Sequence, residues 1–325
     1  MRKNGIVATL AAGMLALSLA GCSTASTPAM PVGARPISSG AMPMLAQMPA
    51  SDSVLAPASA DGRIFVSNGR SSSVDIYEKN APHQLLGMIT KGISGPNALA
   101  VDSSGDLFVS NVDNQTVTVY PPGSLTPSRT YTRGFHQRLT NPLTVAVGGD
   151  GTMYLVNYMG IGQGTQVLEY PPGQMAPNVA IAINGGADGL AVDPKNNLYV
   201  SYNASTGGRI LEFAPGSQTG QDLGIHLGFA GGLALDRNLD LLACDQTAPA
   251  VDVFPPGSST PSLVITGNFV NPYGLAFGKY FQKLYVADSA SDNVLIFSYP
   301  DGSLIGKISR TFTAFGVALS PAARP

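Results

Sequence analysis

The sequence predicts an all-β protein: a six-bladed β-propeller of four-stranded antiparallel blades, with the ring closed by the C-terminal strand. Three observations lead to this fold class. One strand–turn–strand motif recurs six times along the 325 residues, and an apolar strand with a central alanine accompanies each copy at a nearly constant interval. The composition, with 38 Gly, 25 Pro and 12% charged residues, suits short strands and tight turns rather than amphipathic helices.

The recurring motif is clearest in LFVSNVDNQTVTVYPPGS, residues 107–124. The other copies begin at Ile64, Met153, Leu198, Leu241 and Leu284. We assign the LFVSN-like run of each copy as strand B, the VTVY-like run as strand C, and the more polar run after Pro-Gly, such as SRTYTR, as strand D. Proline cannot donate a hydrogen bond to a sheet and glycine permits the turn, so Pro-Pro-Gly separates strands C and D.

The innermost strand, A, has alanine at its centre in every repeat. These alanines are Ala100, Ala146, Ala191, Ala234, Ala276 and Ala318, at intervals of 46, 45, 43, 42 and 42 residues. Inner strands of neighbouring blades converge around the axis, where a larger side chain would force the sheets apart.

The first and last repeats are each incomplete. FGVALS, residues 315–320, is followed by no strand B, C or D, and the copy at Ile64 lacks a clean strand A before it. We expect the C-terminal strand to serve as strand A of the first blade, which closes the ring and leaves few unpaired edges. The alternative partner is SVLAP, residues 53–57, but its Pro57 falls where the other copies carry alanine or another apolar residue.

The N-terminus has the pattern of an export signal. A basic start at Arg2 and Lys3 precedes an apolar run that is too short for a stable membrane span. The ending Leu19-Ala20-Gly21-Cys22 resembles the bacterial lipobox. That resemblance implies a signal peptide at residues 1–21 and acylation of Cys22, as with palmitate, while Ser23 points by analogy to the outer membrane. A secretory cleavage site with a chance cysteine is the alternative.

Residues 22–53 lack any period and are rich in Ser, Ala, Pro and Gly, so we interpret them as a flexible tether, and residues 54–325 as the propeller. The tether methionines Met30, Met42, Met44 and Met48 could alternatively bind copper. With Cys22 acylated, Cys244 would be unpaired, and its apolar surroundings predict a buried residue.

The charge of the mature chain argues against a nucleic-acid partner. Loss of Arg2 and Lys3 from the 18 basic residues leaves 16 against 20 acidic ones, a net charge of about −4. We expect a monomer that contacts the membrane through its lipid.

The repeats, with LYVADSASDNVLIF at residues 284–297 the nearest, resemble the NHL-repeat family and more loosely the six-bladed propellers that include SMP-30-type lactonases. The resemblance covers residues 60–320. It implies a propeller, but such rings include enzymes, binding platforms and structural modules, so it does not select a function.

Strand B ends on a short polar residue in most repeats, on the face where strand A begins. These residues are Asn68, Asn111, Asn157, Asp245 and Asp288, with Tyr202 and Asn203 at the sixth place. Their oxygens could hold a calcium ion, which takes about 6–8 oxygen ligands. The favoured interpretation is that the side chains bond to the backbone of adjacent turns.

A lactonase of the SMP-30 kind is the strongest enzymatic alternative, because the resemblance implies a divalent ion held by Glu, Asn and Asp at the channel mouth. Glu78, Glu169 and Glu212 all fall on strand C, so the family's metal-binding glutamate is not matched. Asp188, the only acidic residue at its aligned position, could join Asp245, Asn111 and Asn157 in an incomplete site.

The histidines suggest no catalytic triad. His83, His136 and His226 fall in different blades, and no nucleophile motif adjoins them. The absence of Trp, and of any obvious cofactor platform, also argues against the quinone-dependent dehydrogenases that share this architecture. We expect neither a cofactor nor catalytic residues.

The repeat is most irregular at the third blade. Its turn between strands B and C is longer than in the other repeats, and the preceding connection TYTRGFHQRLTNP, residues 130–142, is long as well. We expect both to share the mouth face and to form one raised patch of Phe135, His136, Arg138, Tyr158 and Met159. Loops that lengthened without function are the alternative, but this mixture of aromatic, basic and flexible apolar groups favours recognition. The sequence thus predicts a noncatalytic, lipid-anchored binding or assembly module for a cell-envelope protein or ligand.

Overall fold

The computed structural model describes residues 62–160, 163–309 and 311–325. The signal peptide, Cys22, the tether and the alternative strand at residues 53–57 lie outside these ranges. Within the described residues, no helix is long and apolar enough to cross a membrane.

The described chain forms 24 strands in six antiparallel sheets, each of four strands. Blade 1 contains β1 (Arg63–Asn68), β2 (Ser73–Glu78) and β3 (Leu85–Ile89). Blade 2 contains β4 (Pro96–Val101), β5 (Leu107–Asn111), β6 (Thr116–Tyr120) and β7 (Arg129–Tyr131). Blade 3 contains β8 (Pro142–Val147), β9 (Met153–Tyr158), β10 (Thr165–Tyr170) and β11 (Val179–Ile183). Blade 4 contains β12 (Gly186–Val192), β13 (Leu198–Ala204), β14 (Gly207–Phe213) and β15 (Gln221–Asp222). Blade 5 contains β16 (Ala230–Leu235), β17 (Leu241–Asp245), β18 (Ala250–Phe254) and β19 (Leu263–Ile265). Blade 6 contains β20 (Pro272–Phe277), β21 (Lys283–Asp288), β22 (Asn293–Ser298) and β23 (Leu304–Ser309), and β24 (Val317–Ser320) follows. The predicted fold class is confirmed.

Strand β24 returns to blade 1 and becomes its innermost strand. It pairs antiparallel with β1, so that Phe65 lies opposite Ala318. The Ser67 hydroxyl also accepts hydrogen bonds from the backbone N–H groups of Phe315 and Gly316, at 3.1 and 2.8 Å. The predicted closure of the ring by the C-terminal strand is therefore confirmed, and the inner edge of β1 is covered along residues 63–67.

The hydrophobic core lies between the blades. Each of the six apolar clusters of the described chain combines residues of two neighbouring blades. The alanine of each inner strand packs on the cluster shared with the next blade, as Ala191 does toward blade 5 and Ala318 toward blade 2. The proposed reason for the repeated alanine is thus consistent with the packing. Cys244 is free and fully buried in the cluster between blades 5 and 6, as predicted.

The backbones of neighbouring inner strands approach each other closely at the position two residues before the central alanine of each strand. The sequence analysis did not identify this feature. Four blades carry glycine there: Gly189, Gly232, Gly274 and Gly316. A Cβ atom on Gly232 would lie 2.1 Å from the carbonyl oxygen of Tyr273 in the next blade. Such a separation requires the two inner strands to move apart, so glycine at this position sets how tightly the ring closes.

The Pro-Pro-Gly segments form the predicted turns between strands C and D. In blade 2 the N–H of Ser124 donates to the carbonyl oxygen of Pro121 at 2.9 Å, and Gly123 has φ of 78°. Glycine adopts this left-handed conformation without the strain that a side chain would introduce.

We predict that Gly232→Ala lowers the free energy of unfolding by about 2–3 kcal/mol, because the new methyl group meets backbone rather than a movable side chain. Gly149→Ala is the matched control, since a Cβ at this exposed turn position meets no atom within 4 Å, and its effect should stay within about 0.5 kcal/mol. Urea denaturation followed by circular dichroism measures both. Equal effects of the two substitutions would contradict the proposed close approach.

Candidate functional site

One face of the propeller gathers the starts of the inner strands and the ends of the second strands. In blade 2, Pro96 at the start of β4 lies opposite Asn111 at the end of β5, and in blade 3 Pro142 lies opposite Asn157. We call this face the mouth face. The predicted location of these residues is confirmed.

The recurring Asn and Asp side chains of the mouth face accept hydrogen bonds from backbone N–H groups. The Asp245 carboxylate accepts hydrogen bonds from the N–H groups of Gly228, Phe229, Thr247 and Ala248 at 2.8–3.3 Å. Asp288 accepts likewise from two N–H groups that precede β20. These contacts confirm the interpretation that the repeated side chains fix turns, although many of the bonds reach the segment before strand A rather than the next turn.

The amides at two of the alternative metal positions are engaged in the same way. Oδ1 of Asn157 accepts from the N–H groups of Thr140 and Asn141 at 3.1 and 3.2 Å. Oδ1 of Asn111 accepts from the N–H of Ser94 at 3.1 Å. Over the described ranges, no three His, Cys, Asp or Glu side chains are grouped so as to share a metal ion. The residues present therefore do not fit the divalent-ion site that the lactonase resemblance implies.

The three glutamates and His83 lie away from the mouth, whereas His226 lies in the connection that leads into β16 at the mouth face. Glu78, Glu169 and Glu212 belong to β2, β10 and β14, as predicted. His83 contacts the carbonyl oxygen of Glu78 through Nδ1, and His226 contacts Arg209 through Nε2. Each of these contacts stays within or beside one blade.

Asp188 differs from the other acidic residues of the mouth face because it lies at the channel itself. Its Oδ2 accepts from Nδ2 of Asn203 at 2.7 Å, and its Oδ1 accepts from the Tyr273 hydroxyl at 3.3 Å. Burial raises the pKa of the Asp188 carboxyl to about 6, and these two hydrogen bonds offset only part of that effect. Asp188 is thus a carboxylate held in poorly solvated surroundings by neutral donors.

Tyr273 crosses the channel at the level of Asp188. The residue belongs to β20 of blade 6, yet its hydroxyl lies near Asp188 of blade 4. It also lies near the side chains of Thr144 in blade 3 and Asn97 in blade 2. Burial and the Asp188 charge raise the pKa of this phenol well above its usual value. The Phe315 ring packs edge-on against Tyr273, with centroids 5.2 Å apart.

Two cavities lie along the axis. The one at the mouth has about 60 Å³ and is bordered by Thr144, Asp188, Tyr273 and Phe315 together with apolar inner-strand residues. The other has about 190 Å³, is lined by inner-strand aliphatic side chains, and meets Ala322, Ala323 and Pro325 of the C-terminal segment. Polar chemistry in the channel is therefore concentrated at its mouth.

Sequence reasoning found Asp188 but not its surroundings. The aligned position that holds Asp188 is occupied in the other blades by Asn97, Leu143, Gly231, Tyr273 and Phe315. That alignment marks a ring of residues at the mouth, but it does not show that Tyr273 reaches across to three other blades. The length and direction of one side chain in the folded ring decide this contact.

The two long segments beside blade 3 are in contact, as expected from their order in the ring. The Thr140 hydroxyl donates to the carbonyl oxygen of Tyr158 at 2.7 Å, and the N–H of Tyr158 donates to Asn141 at 2.9 Å. Nε2 of Gln137 lies 3.4 Å from Sδ of Met159. The extensions therefore form one continuous surface, although residues 161–162 of the blade 3 turn lie outside the described chain.

The five residues predicted for the patch differ in exposure. His136 and Arg138 are exposed, while Phe135, Tyr158 and Met159 are partly buried. Phe135 packs on the cluster between blades 2 and 3, and its ring centroid lies 4.1 Å from that of His136. Residues 133–138 also border an open cleft of about 530 Å³, with Ala176 and Pro177 on its other side. The patch thus presents basic groups above an apolar base.

No protein-family model and no curated protein matches the chain, whereas many solved structures share its fold. A chain of the crystal structure of a nidogen/laminin complex has a TM-score of 0.64 at 15% identity, covering 79% of this chain and 98% of that one. A protein of unknown function from Bacteroides caccae has a TM-score of 0.61 at 12% identity, with coverages of 80% and 99%. A protein assigned as a gluconolactonase has a TM-score of 0.55 at 18% identity, with coverages of 73% and 88%. At these identities the likeness shows the propeller fold alone.

The raised pKa of Asp188 predicts a pH-dependent effect on stability. Its folded-state value of about 6 exceeds the unfolded value of about 3.9, so the folded protein binds more protons between these pH values. The stability that Asp188 contributes is fully present below about pH 4 and is lost as pH rises through about 6, a loss of about 3 kcal/mol.

Asp188→Asn should therefore stabilise the protein at about pH 7.5 relative to wild type, and this gain should disappear near pH 4. Urea denaturation at both pH values measures the difference. Asp113→Asn, at an exposed position of the mouth face, is the control that should show no such trend. A constant difference between Asp188→Asn and wild type at both pH values would contradict the desolvation of Asp188.

Proposed function

We propose that this protein is an exported, lipid-anchored propeller that acts as a noncatalytic binding or assembly module of the cell envelope. The observation that carries the proposal is the contact between the two blade 3 extensions. Together they present His136 and Arg138 above the partly buried Phe135, Tyr158 and Met159. Aromatic, Met and Arg side chains are enriched where proteins recognise one another.

The mouth face favours binding over hydrolysis. Most of its recurring polar side chains are engaged by backbone N–H groups, and engaged oxygens are poor candidates for activating water. A general base also needs a reacting partner within hydrogen-bonding reach, and the histidines occupy separate places in the ring.

The anchor is proposed from the sequence. The lipobox-like ending at Cys22 favours acylation, and residues 22–53 have the composition of a tether that would separate the propeller from a bilayer, here proposed to be the outer membrane. The mildly acidic composition disfavours a nucleic-acid partner. We propose a monomer whose partner is an envelope protein or ligand.

The likeness to a chain of a nidogen/laminin complex supports a role in binding, because a propeller of this shape occurs there in a protein–protein complex. The likeness is one of fold, so it gives no information on the identity of the partner.

The patch is tested by a photo-crosslinking amino acid placed at His136 in the full-length protein in its own cells. We predict a discrete crosslinked partner from this position and none from Ser103, an exposed control position on the opposite face. Arg138→Ala or Tyr158→Ala should lower the crosslinking yield at least about fivefold with the thermal midpoint of the ring retained. Equal yields from His136 and Ser103, or an unchanged yield in both variants, would refute this placement.

A second candidate, a metal-dependent lactonase or esterase with its site at the channel mouth, is favoured by the Asp188 carboxylate there and by the fold likeness to a protein assigned as a gluconolactonase. The other ligands proposed for it, Asp245, Asn111 and Asn157, are engaged by backbone.

We therefore expect millimolar calcium, or another divalent ion, to change the thermal midpoint by less than about 1 °C, since an ion stabilises only if it binds the folded state. Differential scanning fluorimetry measures this. A calcium-dependent rise that is absent in Asp188→Asn and present in Asp113→Asn would support the lactonase instead.

A further inference from the structure

Asp188 faces the channel mouth without a cationic partner in the described part of the chain. The ion pairs found there join Arg129 to Asp106 and Arg209 to Asp222, and neither involves Asp188. Its own hydrogen bonds come from the Asn203 amide and the Tyr273 hydroxyl, which are neutral groups. A carboxylate in poorly solvated surroundings is stabilised most by an opposite charge, and the described residues supply none here.

Asn97 provides an unsatisfied acceptor close to Asp188. The residue is only 8% exposed, and its Oδ1 has no hydrogen-bond partner among the described residues. Its side chain and that of Asp188 both lie at the Tyr273 hydroxyl. Hydrogen bonding to Asn97 lowers the pKa of Tyr273, as a donor to the phenol oxygen does, so the amide Nδ2 faces Tyr273 and Oδ1 remains available for a further donor.

The walls of the mouth cavity determine what such a donor can be. The cavity of about 60 Å³ is bordered by the hydroxyl of Thr144, the carboxyl of Asp188, and the aromatic residues Tyr273 and Phe315, with leucines of four inner strands around them. This volume admits a head group of a few heavy atoms. A positive charge would pair with Asp188, N–H donors would satisfy Oδ1 of Asn97, and aromatic side chains attract cations.

A metal ion fits this cavity less well than an organic cation. Calcium requires about 6–8 oxygen ligands, whereas the mouth-face carboxylate of Asp245 already accepts four backbone N–H groups. An ammonium or guanidinium group needs fewer oxygens, because its charge is spread over several N–H donors.

We propose that the channel mouth binds an ammonium or guanidinium group, and that this group is a lysine or arginine side chain of the partner. Asp188 forms an ion pair with this group, Asn97 accepts one of its N–H donors, and Tyr273 fixes its position. The assignment of the group to a partner rests on the proposed function. The head-group site itself stands on the contacts of Asp188, Asn97 and Tyr273 and does not require the patch at His136.

The site is tested by isothermal titration calorimetry of the full-length protein in detergent, without any partner. n-Butylammonium and methylguanidinium are the probes, n-butanol controls for the apolar chain, and tetramethylammonium controls for charge without N–H donors. We expect saturable binding of at least one of the two probes and no saturable binding of either control compound.

Variants then assign the binding to the mouth. Asp188→Asn should weaken binding at least about tenfold, and Asp113→Asn should leave it unchanged. Asn97→Asp adds a second carboxylate beside Tyr273 and should strengthen binding several-fold, which gives a test that does not depend on Asp188→Asn. Absence of saturable binding, equal binding by Asp188→Asn, or saturation of the mouth by calcium in place of the amines would overturn the site.

A competition experiment with peptides distinguishes a partner side chain from a free amine as the source of the bound group. A short glycine-rich peptide with one central lysine should compete with n-butylammonium, and its Nε-acetyl-lysine counterpart should not. Competition by free amines alone would overturn the partner-side-chain source and would leave the head-group site supported. Loss of crosslinking at His136 together with intact amine binding would separately refute the proposed function.

Discussion

The convergence of six inner strands on one axis is the constraint on which the rest of the structure depends. Gly232 lies so close to the Tyr273 carbonyl oxygen that no side-chain atom fits between them, and the pairing of Phe65 with Ala318 completes the circle. Because every blade is packed on two neighbours, a change in the spacing of one pair must be accommodated around the whole ring. The rigidity of the mouth face follows from this geometry.

That rigidity has a consequence for the polar residues of the mouth. Loops that join strands on a converging ring leave backbone N–H groups without sheet partners, and the recurring Asn and Asp side chains satisfy them, as Asp245 does for four N–H groups. Residues that could be taken for a ring of metal ligands therefore serve the fold. Function must be sought where the repetition fails, at the blade 3 extensions and at Asp188.

These two places are different in kind. The patch around His136 and Arg138 is an exposed surface suited to a macromolecular partner, whereas the mouth around Asp188 and Tyr273 is a small polar recess suited to one head group. In our proposals a single partner uses the patch for contact area and the recess for charge recognition. Burial near Asp188 makes charge more effective there than at the surface, since water competes less for it.

The sequence by itself determined the architecture and the closing role of residues 317–320, because a repeat with a fixed period and two incomplete ends allows few other arrangements. It also located Asp188 and the extended loops, since departures from a repeat are visible in the chain. Only the tertiary structure decided that the side chains of Asn97, Asp188 and Tyr273 meet, although 176 residues separate the first from the last. The physical reason is that local pattern governs each strand and each turn, whereas contacts across the channel depend on the diameter of the closed ring and on the reach of one tyrosine, and neither is encoded in any single repeat.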